Sequence, residues 1–305
     1  MTWTTTDIPS QAGRVCVVTG TGGLGYQTAL VLTAKGADVI LAGRNPAKGA
    51  KSVEEIRAAT GRTPRFESLD LASLASVAAF AERLSGQVGR LDLLVNNAGV
   101  MAPPARGATV DGFELQFGTN YLGHFALTAR LRPLLRRAEA PRVVSLSSGV
   151  HLAGAIRFKD PQWKRGYSPE RAYAQSKLAM LMFALELQRR SDAGGWRLMS
   201  NAAHPGFART DLIDNGPGRR GIGYLAARVL GAFASQSAAD GAWPTLYAAT
   251  SPGAVGGGYY GPSHMLEMRG PPKVAFVAKK ARDVETARRL WELSERLTEV
   301  TWPAE

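Results

Sequence analysis

Cysteine is almost missing from this sequence. Its 305 residues hold one, Cys16, so no disulfide can form within the chain and a disulfide-stapled scaffold is excluded. Long hydrophobic runs are missing too: none reaches the ~20 residues that a helix needs to cross a bilayer. Acidic residues are scarce beside basic ones, 25 Asp plus Glu against 37 Lys plus Arg, a net charge of +12. That excess is spread in short pairs such as Arg136-Arg137, Arg189-Arg190, Arg219-Arg220 and Lys279-Lys280. Without a basic tract or zinc-finger spacing, a nucleic-acid partner is not expected. Histidine is also rare, with four in all, and no cluster of His, Cys and acids has ligand spacing, so no metal site is expected. Met1 to Gly13 has no apolar segment and no early positive charge, unlike a secretory leader. A cytoplasmic protein without stable membrane insertion is the expectation.

What is present is a regular alternation. Short apolar runs at 14–20 (RVCVVTG), 38–42 (DVILA), 65–69, 91–95 (LDLLV), 142–146 (RVVSL) and 199–203 predict buried strands. Between them, 26–35, 47–60, 74–84, 112–138 (interrupted by Pro133) and 170–190 predict helices. A last strand is expected near Tyr259-Tyr260-Gly261 and a capped polar helix over 281–299. Strands alternating with helices give an α/β fold, a doubly wound parallel sheet with helices on both faces. Such sheets bind ligands at the carboxyl ends of their strands. Cys16, inside the first strand, reads as a small core residue, and Asp92 as a structural surface acid.

Gly20-Thr21-Gly22-Gly23-Leu24-Gly25 follows the first strand and opens the first helix, matching G-x-G-x-x-G through Gly20, Gly22 and Gly25. Glycine suits a tight turn whose backbone must approach a pyrophosphate, and the helix amino terminus offers free N–H groups to it. After the second strand, where many NAD-binding folds carry an acid for the ribose 2′-hydroxyl, this chain has Ala42-Gly43-Arg44-Asn45. The Arg44 guanidinium suits a 2′-phosphate, which favours NADP with NAD as the alternative. Tyr173 and Lys177 stand four apart on one face of the long helix after strand five. An ammonium beside a phenol stabilises the phenolate, so Tyr173 can serve as general acid/base. Ser147 and Ser148 close strand five, where a hydroxyl can hold a carbonyl oxygen.

These residues resemble the short-chain dehydrogenase/reductase family. The likeness is carried by Thr19-Gly20 with its glycine turn, Asn96-Asn97-Ala98-Gly99, Asn120 in Thr119-Asn120-Tyr121-Leu122-Gly123-His124, Ser148, Tyr173-x-x-x-Lys177 and Pro205-Gly206, in family order over about 14–210. Asp111-Gly112-Phe113-Glu114, Ser147-Ser148-Gly149-Val150-His151 and Ala203-His204-Pro205-Gly206 resemble the retinol dehydrogenase and WW-domain oxidoreductase subgroup. The resemblance implies a Rossmann fold in one domain over 1–305, with a tail at 1–12 and a substrate lid at 211–240. It implies a catalytic set of Asn120, Ser148, Tyr173 and Lys177. Tyr173 would be the acid/base, and Lys177 would hold the nicotinamide ribose and lower the pKa of Tyr173. Ser148 would position the substrate oxygen, and Asn120 would shape its helix and join a water relay to Lys177.

The same resemblance assigns cofactor contacts to the glycine turn with Leu24, Asp70 with Leu71 at the adenine, and Asn97 with Ala98 and Gly99. It adds Pro205 and Gly206, and Thr210 at the nicotinamide carboxamide. The turn is one residue shorter than the family's usual form, with two residues between Gly20 and Gly23. The expected function is NADP(H)-dependent exchange of hydride with a carbonyl or secondary alcohol of an apolar or aromatic small molecule. The alternatives are an NAD-linked alcohol dehydrogenase of the same fold and a non-catalytic dinucleotide-sensing protein. A homo-oligomer paired through the two long helices is left open.

Overall fold

The computed structural model describes residues 2–208 and 236–302. Thr210 and almost all of the expected lid lie outside the described residues. Among the described residues eight strands form one sheet in the order β3-β2-β1-β4-β5-β6-β7-β8. They are β1 (Val15–Thr19), β2 (Asp38–Gly43), β3 (Arg65–Ser68), β4 (Leu93–Asn96), β5 (Arg142–Leu146), β6 (Met199–Ala203), β7 (Tyr259–His264) and β8 (Arg269–Val274). The first seven pair in parallel and β8 runs antiparallel to β7.

The central strands are buried on both faces, which is why they read as unbroken apolar runs. Their side chains alternate between two cores. Val17, Ile40, Leu94 and Val143 face one, and Cys16, Val18, Val39, Leu41 and Val95 face the other. Cys16 is fully buried and burial pushes its thiol up to about 12, so it is a packing residue.

The first core is covered by α3 (Leu74–Gln87), α4 (Gly123–Leu135), α5 (Pro169–Ala193) and a C-terminal helix, 284–298. The second is covered by α1 (Gly23–Ala34) and α2 (Pro46–Thr60). Two further helices, α6 (Ala238–Gly241) and α7 (Trp243–Thr250), precede β7, and the C-terminal helix is therefore α8 (Val284–Thr298). Local chemistry sets the boundaries. Asn45, Ser73, Ser168 and Asp283 each accept a backbone N–H in the first turn of α2, α3, α5 and α8. Gly61 ends α2 in the left-handed region.

Three expectations change. The helix expected over 112–138 instead begins at Leu115 and passes through a π turn, Phe117–Leu122, into α4. Pro133 lies in the last turn of α4 and does not interrupt it. Asp92 is buried, not superficial: its carboxylate accepts the Val15 amide at 2.8 Å and pairs with Arg90 at 3.1 Å. In addition, α8 packs against the flank of α4 and α5 within the chain. Trp291 packs 5.1 Å from Phe125 and 5.7 Å from Phe183, and Tyr121 and Ser294 share a 2.7 Å hydrogen bond.

Candidate active site

The carboxyl ends of β1, β4 and β5 converge on one edge of the sheet. At β1 the chain turns at Gly20, whose φ of +94° only glycine adopts without strain. A Cβ on Gly25 would lie 2.3 Å from the Gly20 carbonyl oxygen, so the first turn of α1 packs directly on the loop. The α1 N-cap is Gly22, with no side chain capping the helix, and its first amides are left to an anionic ligand. Gly43 faces Thr21, where a Cβ would approach Thr21 Cγ2 to 2.9 Å, and Arg44 is exposed just beyond β2. This glycine-lined cradle, with an exposed guanidinium at one end, fits a dinucleotide phosphate.

Asn97 and Ala98 are held to β1 from below. Both amides donate to Thr19 Oγ1 at 2.9 Å, and Asn97 Nδ2 donates to the Thr19 carbonyl at 2.6 Å. The Asn97 side chain thus pins the floor of the site. Asp70 caps its own loop by accepting the Ala72 amide at 2.9 Å, and Leu71 is buried where its carbonyl abuts Gly123. Pro205 and Gly206 follow β6, with Gly206 at φ +63° and its Cα packed on the Met268 carbonyl.

On the other side stands the face of α5. Lys177 Nζ donates to the Leu146 carbonyl at 3.1 Å and lies 5.6 Å from the Tyr173 ring centroid. Both side chains are buried. Burial pushes the Tyr173 phenol up and outweighs the opposite pull of the neighbouring Ser148 hydroxyl. Burial also brings the Lys177 ammonium down to about 8. Loss of solvation is thus the larger influence on both groups.

Ser147 and Ser148 divide the work. Ser147 is buried and donates to the Lys177 backbone carbonyl at 2.8 Å, while the half-buried Ser148 stands beside Tyr173. Asn120 sits inside the π turn. Its Oδ1 accepts the Val100 amide at 2.7 Å, and its Nδ2 donates to the Val100 carbonyl at 2.9 Å and to Ser176 Oγ at 3.0 Å. A Cβ on Gly99 would fall 3.0 Å from Asn120 Oδ1 and 3.8 Å from Lys177 Nζ, so Gly99 is the gap between them. Asn120, Ser148, Tyr173 and Lys177 are thus brought together around Gly99, near the glycine turn.

Three supports were not assigned from the sequence. Gln116 accepts the Ala102 amide at 2.7 Å and donates to the Pro169 carbonyl at 3.0 Å, tying the loop after β4 to the start of α5. His151 Nδ1 meets the Ser148 carbonyl at 2.8 Å and its Nε2 accepts the Ala278 amide at 3.3 Å, bracing the serine loop. His204 joins Glu267 at 3.2 Å and accepts the Gly206 amide at 3.3 Å. The Glu267 carboxyl, hydrogen-bonded by His204, is held down at about 2. All three lie next to motif residues, which was the available signal. Among the described residues no group of three or more His, Cys, Asp or Glu could hold a metal, and no helix is long and apolar enough to cross a membrane.

A parallel sheet with a glycine turn after β1 and a Tyr-x-x-x-Lys helix after β5 defines a dinucleotide-dependent oxidoreductase class. Residues 14–217 match the short chain dehydrogenase family model. The chain belongs to the short-chain dehydrogenase/reductase family, in its retinol dehydrogenase-like subgroup. It is 43% identical to mouse polyprenol dehydrogenase over 302 residues, covering 95% of this chain and 85% of that one. It is 39% identical to human retinol dehydrogenase 13, covering 97% and 88%. Among solved structures, an uncharacterised Mycobacterium paratuberculosis protein is 40% identical over all of both chains, with a TM-score of 0.83. A Shigella flexneri short chain dehydrogenase complexed with NADP is 25% identical, with a TM-score of 0.63 over 83% of this chain and 98% of that one.

Proposed function

We propose that this protein is an NADP(H)-dependent oxidoreductase acting on an apolar alcohol and its carbonyl partner. The observation that carries the reading is the convergence of Asn120, Ser148, Tyr173 and Lys177 beside the glycine turn at the carboxyl edge of the sheet. Exposed Arg44 beyond β2 supports NADP over NAD, as does the NADP held by the Shigella relative. Retinol and polyprenol are the substrates in the relatives' names. Both are primary allylic isoprenoid alcohols, so we favour that class, with its aldehydes, over the secondary alcohols and aromatic carbonyls expected from the sequence.

The cofactor, when bound, gives or takes the hydride. The protein supplies the proton and the geometry. In reduction, Ser148 donates a hydrogen bond to the carbonyl oxygen and Tyr173 delivers its phenolic proton to that oxygen as the hydride reaches carbon. Burial keeps the phenol protonated across the neutral range, which suits it as the acid. The Lys177 charge, anchored by the Leu146 carbonyl, then stabilises the phenolate left behind. In oxidation the same steps run backwards.

The test is cofactor consumption by purified protein, NADPH against NADH, with retinal, a short prenyl aldehyde and aromatic aldehydes. Tyr173→Phe is expected to lower kcat by about 10²–10⁴-fold while NADPH Kd changes by less than about threefold. Turnover retained in that variant would overturn the assignment of Tyr173. Preference for NADH would overturn the reading of Arg44.

A further inference from the structure

His124 follows Asn120 by four residues and is completely buried. Its ring nitrogen Nδ1 lies 2.9 Å from the Asn120 backbone carbonyl, and its Nε2 lies 2.9 Å from Thr19 Oγ1. A carbonyl can only accept, so Nδ1 carries the proton. Nε2 is then bare and accepts from the Thr19 hydroxyl. That hydroxyl already accepts the amides of Asn97 and Ala98, and its alternative acceptor, the Val95 carbonyl, is farther away at 3.3 Å. Every hydrogen bond in this set therefore points one way, from the Asn97-Ala98 loop through Thr19 and His124 to Asn120.

The Asn120 carbonyl lies inside the π turn, in which the Gly123 amide reaches back five residues, to Gly118. The imidazole adds a side-chain donor to that carbonyl. A second tie holds the histidine backbone itself, because Thr128 donates to the His124 carbonyl at 2.7 Å and receives Asn96 Nδ2 at 3.0 Å. Burial and the nearby Lys177 charge push the imidazole down to about 4, so it stays neutral and keeps its direction at working pH.

We propose that His124 is a positioning residue that couples the dinucleotide turn to the catalytic helix face, holding Thr19 with Nε2 and the π-turn carbonyl of Asn120 with Nδ1. Asn120 passes the constraint on, since its side chain fixes Val100 and Ser176, the neighbour of Lys177. The proposal rests on the cofactor reading above.

Two variants separate the halves. His124→Asn keeps a short-armed N–H for the Asn120 carbonyl and loses the partner of Thr19. His124→Gln keeps a longer-armed acceptor for Thr19 and loses the donor to Asn120. NADPH Kd, read by nicotinamide fluorescence, is expected to rise about tenfold in His124→Asn and less than about threefold in His124→Gln. The order reverses for kcat, with about a tenfold loss in His124→Gln and less than about threefold in His124→Asn. Nitrogen-15 spectra of the unaltered protein should show His124 protonated at Nδ1. Equal losses of both quantities in both variants, or a ring protonated at Nε2, would overturn the proposal. If no tested substrate is turned over, the binding order and the tautomer decide alone. The NADPH-binding step is thereby kept separate from the choice of substrate.

Discussion

Lys177 shows how much a single buried charge controls. Its ammonium is brought down to about 8 by burial, against 10.5 for a free lysine. The folded pKa lies below the unfolded one, so between about 8 and 10.5 the unfolded chain holds a proton that the native chain has lost. Lys177's contribution to stability therefore rises with pH through that window. Function runs the opposite way, because the neutral amine no longer stabilises a phenolate. An alkaline fall in kcat/KM centred near pH 8 is expected, without a matching fall in thermal stability. Rates and melting temperatures measured together from pH 6 to 10 check this. A rate that stays flat through pH 9 would contradict it. The residues of this site were legible because the Tyr-Lys spacing and the glycine turn are local patterns. The linking roles of Thr19, Gln116 and His124 were not, because they depend on partners 14 to 105 positions away.

At the scale of elements, the central strands were readable because burial on both faces demands continuous Val, Leu and Ile. β8 was not: it holds Pro271 and Pro272, which read as loop, and the sheet tolerates them because β8 is its edge. The π turn was hidden for another reason. Its residues, Phe117 to Leu122, carry no composition of their own, and the buried Glu114 carboxylate that accepts the Phe117 amide at 2.7 Å caps the helical turn ahead of it. The β7–β8 turn puts Met265, Leu266 and Glu267 in succession at φ of +51°, +54° and +66°, a costly conformation for residues with side chains. It delivers Glu267 to His204 and the Met268 carbonyl to the Phe207 amide at 2.8 Å. Because the Glu267 carboxyl is lowered, its stabilisation is complete above about 4.5 and is lost as pH falls toward about 2. Glu267→Gln should cost about 1–2 kcal/mol at pH 7 and flatten acid unfolding in that window. Urea titrations at pH 7 and pH 3 would show the difference shrinking at the lower value.

For the whole molecule, the deciding element is α8. Trp291 stacks on Phe183 and lies under the Arg190 guanidinium at 4.4 Å, and Trp302 closes the cluster 4.8 Å from Trp291. The flank of α4 and α5 is thus packed from within by α8. Trp291→Ala should cost about 3–5 kcal/mol by cavity formation. Removing 284–302 should expose the apolar flank and drive self-association, measurable by sedimentation against the intact chain. An unaltered sedimentation coefficient after removal would mean the flank is not adhesive.

The π turn also sets the phase of the helix that follows it. One residue more or fewer in an α-helix rotates everything beyond it by about 100°. Phe125 and Leu127 face the core after the turn, while before it the Glu114 carboxylate caps the helix start and Gln116 ties the loop after β4 to α5. The turn reconciles those two phases within one rod. The spacing between Glu114 and His124 is accordingly a count that must be kept, and a single-residue deletion there would act like a frameshift in space, swinging the packing face of α4 away from the sheet even if every remaining side chain were unchanged.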